Sequence, residues 1–136
     1  MAEVKTYNPK KVTMALGNHM VRGYAEDSFI SVEPVGEGVT SQSGADGEVV
    51  RSVDPDSRFT VKIVVQQTSS TNEFLQKMRK KDKKDGTGTF SLNIKDLMGG
   101  EAFSAEHAWV KNDASWARGK AATDREWEIE CVGDFE

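Results

Sequence analysis

The stretch Arg58-Phe59-Thr60-Val61-Lys62-Ile63-Val64-Val65-Gln66 decides how the rest of the chain is read. Phe59, Val61, Ile63 and Val65 recur at every second residue. Thr60, Lys62 and Gln66 fill the alternate places, with Val64 the exception. A strand turns successive side chains to opposite faces, so this spacing predicts one face on a core and the other toward water or a polar partner. Such alternation belongs to antiparallel sheets with one solvated face. Working outward, the same period returns in Thr89-Phe-Ser-Leu-Asn-Ile94. It returns again at 124–131, where Trp127, Ile129 and Cys131 share one face and Glu126, Glu128 and Glu130 the other. Further strands are predicted at 11–16, ending at the turn pair Gly17-Asn18, at 19–24 as its hairpin partner, at 28–33 before Pro34, and at 103–110.

One helix interrupts them, predicted over 70–82. Ser70-Thr71-Asn72-Glu73 reads as a capping box with Ser70 as N-cap. Phe74, Leu75 and Met78 make a narrow apolar stripe, lysines crowd the end where the helix dipole is negative, and Asp85-Gly86-Thr87-Gly88 stops it. Residues 36–57, with Gly36, Gly38, Gly44 and Gly47 and the turn-like Asp54-Pro55-Asp56, read as a long excursion carrying a short hairpin at 48–53. Excursions of that length in a compact domain are functional or disordered as a rule. The expectation is a mainly β, antiparallel β-sandwich or barrel with one flanking α-helix. It forms a single domain over 1–136 whose first ten residues are flexible.

The bulk numbers bound the function. A chain of 136 residues supports one core without staples. Apolar residues make up 37% and charged residues 29%, which suits a modest core that gains stability by assembling. The net charge of -4 is wrong for a nucleic-acid reader, which carries a basic face. The charge is uneven: residues 77–84 hold Lys77, Arg79, Lys80, Lys81, Lys83 and Lys84 against Asp82 alone, while 101–136 is acidic. A single cysteine, Cys131, allows no intrachain disulfide and points to folding in a cytoplasm. The first residues lack the apolar core of a signal peptide, and no run approaches membrane-spanning length.

Catalytic patterns are missing. His19 and His107 stand in no metal-ligand spacing, and Cys131 on an apolar strand face reads as packing. His107, placed between Ala105 and Trp109, reads as a structural histidine. Gly36-Glu37-Gly38 and Gly86-Thr87-Gly88 are not completed as phosphate loops. No cofactor and no metal is expected. An enzyme would have to use a carboxylate pair, Asp54 with Asp56 or Glu126 with Glu128, and that needs a pocket and a raised pKa that nothing in the sequence supplies. The lysine run reads first as a solvated helix face, since no aromatic residues interleave it. Glu126, Glu128 and Glu130 repel one another and cannot be buried. Their face is either plain solvent-exposed surface or a surface that must not hold polyanions.

Whole segments then resemble one family, the tail tube proteins of contractile-tailed phages. They are Tyr7-Asn-Pro-Lys-Lys-Val-Thr-Met-Ala-Leu-Gly-Asn18, Asp27-Ser-Phe-Ile-Ser-Val-Glu-Pro34, Asp46-Gly-Glu-Val-Val-Arg-Ser-Val-Asp54, Gln66-Gln-Thr-Ser-Ser-Thr-Asn72, Ile94-Lys-Asp-Leu97, Ala105-Glu-His-Ala-Trp109 and Arg125-Glu-Trp-Glu-Ile-Glu130. The resemblance implies a structural subunit and no enzyme. Six copies form a ring, rings stack helically into a tube inside a contractile sheath, and genomic DNA passes through the lumen without specific binding. Partners are then the chain itself, the sheath protein, and baseplate and tail terminator proteins. The location is the virion tail, after assembly in the host bacterial cytoplasm. On this reading Glu126, Glu128 and Glu130 face the lumen, Asp46, Glu48, Arg51 and Asp54 belong to a ring-stacking loop, and Lys77, Lys80 and Lys81 face the sheath. The alternatives are a secretion-system tube protein and a monomeric binding module that uses the 36–57 loop.

Overall fold

A computed structural model of the protein describes residues 3–26 and 29–136. A short 3-10 turn, Pro9–Lys11, precedes β1 (Val12–Leu16), β2 (His19–Met20), β3 (Ile30–Pro34), β4 (Val39–Ser43), β5 (Val49–Val53) and β6 (Arg58–Gln66). Helix α1 (Ser70–Asp85) follows, then β7 (Phe90–Asp96), β8 (Ala102–Val110) and β9 (Asp124–Phe135). The fold is mainly antiparallel β with a single α-helix. Seven strands make one sheet in the order β2-β1-β7-β8-β9-β6-β3, and β4 with β5 makes a separate two-stranded ribbon. Of the strand expected at 28–33, Ser28 lies outside the described residues, as do Asp27, Met1 and Ala2.

The sheet curls back on itself through the chain after β2. The Val21 N–H donates to the Met14 carbonyl at 2.9 Å, whereas the Ala25 N–H donates to Val64 at 3.0 Å and the Gln66 N–H to Gly23 at 2.7 Å. One segment thus borders β1 and then β6, which stand far apart in the strand order. This divides the hairpin partner expected at 19–24. Only His19 and Met20 pair with β1, and Tyr24 bridges to Val65 instead.

Inside the curl the period-two residues meet. Phe59 pairs with Cys131, Val61 with Ile129 and Ile63 with Trp127 across β6 and β9. With Met14, Leu16, Val65 and Leu92 they form a core in which Trp127, Ile129 and Cys131 are fully buried. Strand β9 runs four residues past its expected end because a bulge in β8 carries the pairing on. Ala105 faces Gly133 and His107 faces Val132, which leaves Glu106 extra. A Cβ on Gly133 would collide with the Ser104 carbonyl, so the bulge requires glycine there. The bulge also corrects the reading of His107. It is exposed, while Ala105 and Ala108 point inward.

The N-cap of α1 is Ser69, not Ser70. Ser69 is extended, with φ -67° and ψ 135°, and its hydroxyl accepts the Thr71 N–H at 3.2 Å. The third helical residue is therefore Asn72 rather than Glu73, and its amide works inward. Its Nδ2 donates to the Gln66 and Gln67 carbonyls at 3.0 and 3.2 Å, and its Oδ1 accepts the Trp127 indole N–H at 2.9 Å. One side chain ties the helix start to the centre of the sheet. The helix runs three residues beyond its expected end, to Asp85, and Gly86, at φ 74°, provides the left-handed C-cap. Leu75 is buried, and Phe74 stacks on His19 at 4.9 Å and meets Phe90 edge-on at 5.7 Å.

Candidate functional site

The excursion at 36–57 is built around the β4–β5 ribbon. The expected hairpin at 48–53 forms its second strand, and the first is Val39–Ser43, paired from Val39↔Val53 to Ser43↔Val49. Two aspartates shape its ends. At the base, Asp54 accepts the N–H groups of Glu37 and Asp56, each at 3.0 Å. At the tip, Asp46 accepts the Glu48 N–H at 3.1 Å, and Gly47 takes φ 87°. Asp56 in turn holds Arg58 through two guanidinium nitrogens. Alternation puts Val39, Ser41, Ser43, Val49, Arg51 and Val53 on one face and Thr40, Gln42, Val50 and Ser52 on the other. Every residue of both strands is exposed, and Val49, Val50 and Val53 each keep more than 60% of their surface in water. A lone two-stranded ribbon is marginal in water, and clustered exposed valines mark a contact surface.

The hydrogen bonds of this loop work against an acid role for Asp54 or Asp56. The Asp56 and Glu37 N–H groups hold the Asp54 carboxyl below its ordinary range. Arg58, by side chain and backbone, brings Asp56 down to about 2. Both are firm anions, whereas a general acid needs a raised pKa.

Glu126, Glu128 and Glu130 alternate with the buried residues of β9 and share its outward face. They do not form a bare acidic stripe. Register places Lys62 opposite Glu128 and Thr60 opposite Glu130. Arg58 reaches Glu130 at 3.0 Å, and Lys62 and Lys111 lie 3.8 and 3.9 Å from Glu128. Glu126 sits beside Val64 and forms no ion pair among the described residues. Two of these cations, Arg58 and Lys62, lie on the polar face of residues 58–66, and Lys111 follows β8. Only the strand register shows that they meet the glutamates.

Lys77, Lys80 and Lys81 are exposed on α1, and Lys83 pairs with Asp113 at 2.8 Å. His19 is the structural histidine. Its Nε2 is 2.9 Å from the Thr71 hydroxyl, and burial, then the charge of Arg22, lower its pKa. Burial raises the Cys131 thiol to about 11, too high for a nucleophile. Among the described residues no group of three His, Cys, Asp or Glu side chains is placed to hold a metal ion, and no helix is long and apolar enough to cross a membrane.

Comparison with known proteins gives these surfaces a context. The family described as bacteriophage PhiTE tail tube protein matches residues 12–134. A structural protein of Pseudomonas phage KPP10, ORF10, is 26% identical over 132 residues, covering 91% of this chain and 76% of the phage protein. Two solved structures share the fold. The tube-terminating cap of the anti-feeding prophage superposes with a TM-score of 0.69 at 8% identity, over 100% of this chain and 94% of the cap. The sheath/tube terminator of an extracellular contractile injection system, PVC, superposes with a TM-score of 0.71 at 6% identity, over 99% of each chain.

Proposed function

The chain belongs to the bacteriophage PhiTE tail tube protein family, a family of structural tail proteins rather than enzymes, and from that premise we propose that it is the ring-forming subunit of a contractile tail tube. Six copies close a ring, rings stack into a hollow tube, a sheath surrounds the tube, and DNA passes through its lumen. Glu126, Glu128 and Glu130 line that lumen. Asp46, Glu48, Arg51 and Asp54 act in the stacking loop, and Lys77, Lys80 and Lys81 face the sheath.

The observation that carries the reading is the β4–β5 ribbon, a strand pair with valines and no interior of its own. A stacked neighbour supplies the missing cover. Repeated copies also hide sheet edges, which otherwise invite uncontrolled pairing. Contact between unlike surfaces of identical subunits is open-ended and builds filaments. A second reading comes from the fold likeness to the prophage cap and the PVC terminator, in which the chain forms one ring that ends a tube.

Negative-stain electron microscopy of the purified protein separates these. Six-fold rings that stack into long tubes are expected. Single rings that never stack favour the terminator, and a strictly monomeric protein overturns both.

A further inference from the structure

A groove of about 480 Å³ lies beside the segment that passes from β1 to β6. Its floor is apolar, formed by Val12, Met20, Val21, Tyr24, Ala25 and Phe29. Met20 is 47% exposed there. Its rim carries Lys10 and Arg22, both exposed, with Glu26 the single acid among its described lining residues. At its floor the Tyr24 hydroxyl is buried with no hydrogen-bond partner among the described residues.

We propose that this groove receives the β4–β5 ribbon of a second copy of the chain. The inference rests on the tube reading and names the surface that the ribbon meets. Two features of the ribbon match the groove. One face presents Val39 and Val53 at its base and Val49 at its tip, apolar surface for an apolar floor, with Ser41 and Arg51 between them. The ribbon and its base carry Glu37, Asp46, Glu48 and Asp54 against Arg51, with Asp56 already paired to Arg58, and this acidic excess complements a rim of Lys10 and Arg22. The occupant comes from another copy because each chain's own ribbon is exposed along both strands and so does not fill its own groove. Ribbon and groove are different surfaces, so each docked copy leaves one of each free, and growth continues in one direction.

The test uses the full chain in a charge exchange. Lys10→Glu with Arg22→Glu reverses the rim. Asp46→Asn with Glu48→Lys reverses the ribbon while keeping an acceptor at the tip. Each pair alone is expected to lower tube yield at least tenfold by sedimentation, with the monomer fold unchanged by circular dichroism. An equimolar mixture of the two variants is expected to recover assembly, since the ribbon of each matches the rim of the other and the two can alternate along the stack. All four changes in one chain restore stacking. In parallel, carbodiimide treatment of wild-type tubes assembled from mixed light and heavy isotopes is expected to join Lys10 to Asp46 or Glu48 between copies, read by mass spectrometry. If both double variants assemble as well as wild type, if the fourfold variant stays unassembled, or if those cross-links arise only within one copy, the groove is not the receptor even though tubes form. If wild-type protein forms no rings at all, the tube reading itself fails.

Discussion

Strands β5 and β6 are made of the same material and meet opposite fates. Val49-Val50-Arg51-Ser52-Val53 holds three β-branched residues in five, and Val61-Lys62-Ile63-Val64-Val65 holds four. In β6 the inward residues Val61, Ile63 and Val65 are fully buried, because β9 lies alongside and the curled sheet closes over them. In β5 every residue is exposed, because the ribbon pairs only with β4 and no second layer covers it. The hydrophobic pattern of a strand states that a face is to be covered. It does not state which molecule supplies the cover. Where the chain supplies it, the pattern reads as core, and where the chain does not, the same pattern reads as interface.

The largest effect expected from this contrast comes from cutting each strand system at its centre. Trp127→Ala empties the middle of the core and leaves the Asn72 carbonyl without its indole donor. A loss of about 3–5 kcal/mol in the unfolding free energy is expected from urea titration of the monomer. Val49→Ser with Val53→Ser removes comparable apolar chemistry from the ribbon, yet monomer stability is expected to stay within about 0.5 kcal/mol, as at other exposed sites. The same pair is expected to abolish tube formation. If the valine pair costs the monomer as much as the tryptophan, the ribbon belongs to the core and the contrast collapses.

The contrast also marks what was legible in the sequence. Period-two spacing located β6, β7 and β9 to within a few residues, because alternation is a local property that burial on one face enforces. Pairing is not local. Nothing in residues 19–24 announces that His19 and Met20 border β1 while Tyr24 crosses to Val65, since both neighbours accept the same extended backbone. The bulge at Glu106 has no residue signature in β8 itself; its requirement falls on Gly133 in the partner strand. The cap moved by one residue because Ser69 and Ser70 are equally good caps. The choice fell to the Asn72 contacts with Trp127, 55 residues away in sequence. The candidate groove was invisible for the same reason, since it joins residues on the 3-10 turn, β1 and the crossover segment that no spacing connects.

Acid separates the two regions by a smaller effect. His19, behind α1, has a lowered pKa, so folding favours its neutral form and its contribution is lost as pH falls below the ordinary histidine value. Asp54 and Asp56 also have lowered values. Their contribution is present above the ordinary carboxylate range and is lost as pH falls from about 4 toward the folded Asp56 value of about 2. Amide hydrogen exchange is expected to show two steps. The helix start around Thr71 and Arg22 loosens first, below about pH 6.5, and the ribbon base at Glu37 and Asp56 follows below about pH 4. Loosening of the ribbon base between pH 7 and 5 would show that its aspartates do not hold it.

The smallest effect lies within the acidic triplet of β9, whose three members look equivalent in the sequence and are not. Glu130 faces Arg58 at 3.0 Å with its side chain mostly covered, and Arg58 is also clamped by Asp56. Glu128 lies between Lys62 and Lys111 at 3.8 and 3.9 Å, long contacts between half-open side chains. Glu126 stands next to Val64 and pairs with no cation among the described residues. Exposed pairs of this kind contribute about 0–1 kcal/mol, least where the geometry is loose. Monomer stability is therefore expected to fall by up to about 1 kcal/mol for Glu130→Gln and by a few tenths for Glu128→Gln. For Glu126→Gln it is expected to hold or rise slightly, since the change removes a neighbouring like charge. Equal losses at all three would mean that register does not distinguish them. The graded outcome would show a face whose charge is largely spent within the subunit on Arg58, Lys62 and Lys111, leaving Glu126 as the carboxylate freest to act on whatever passes across it.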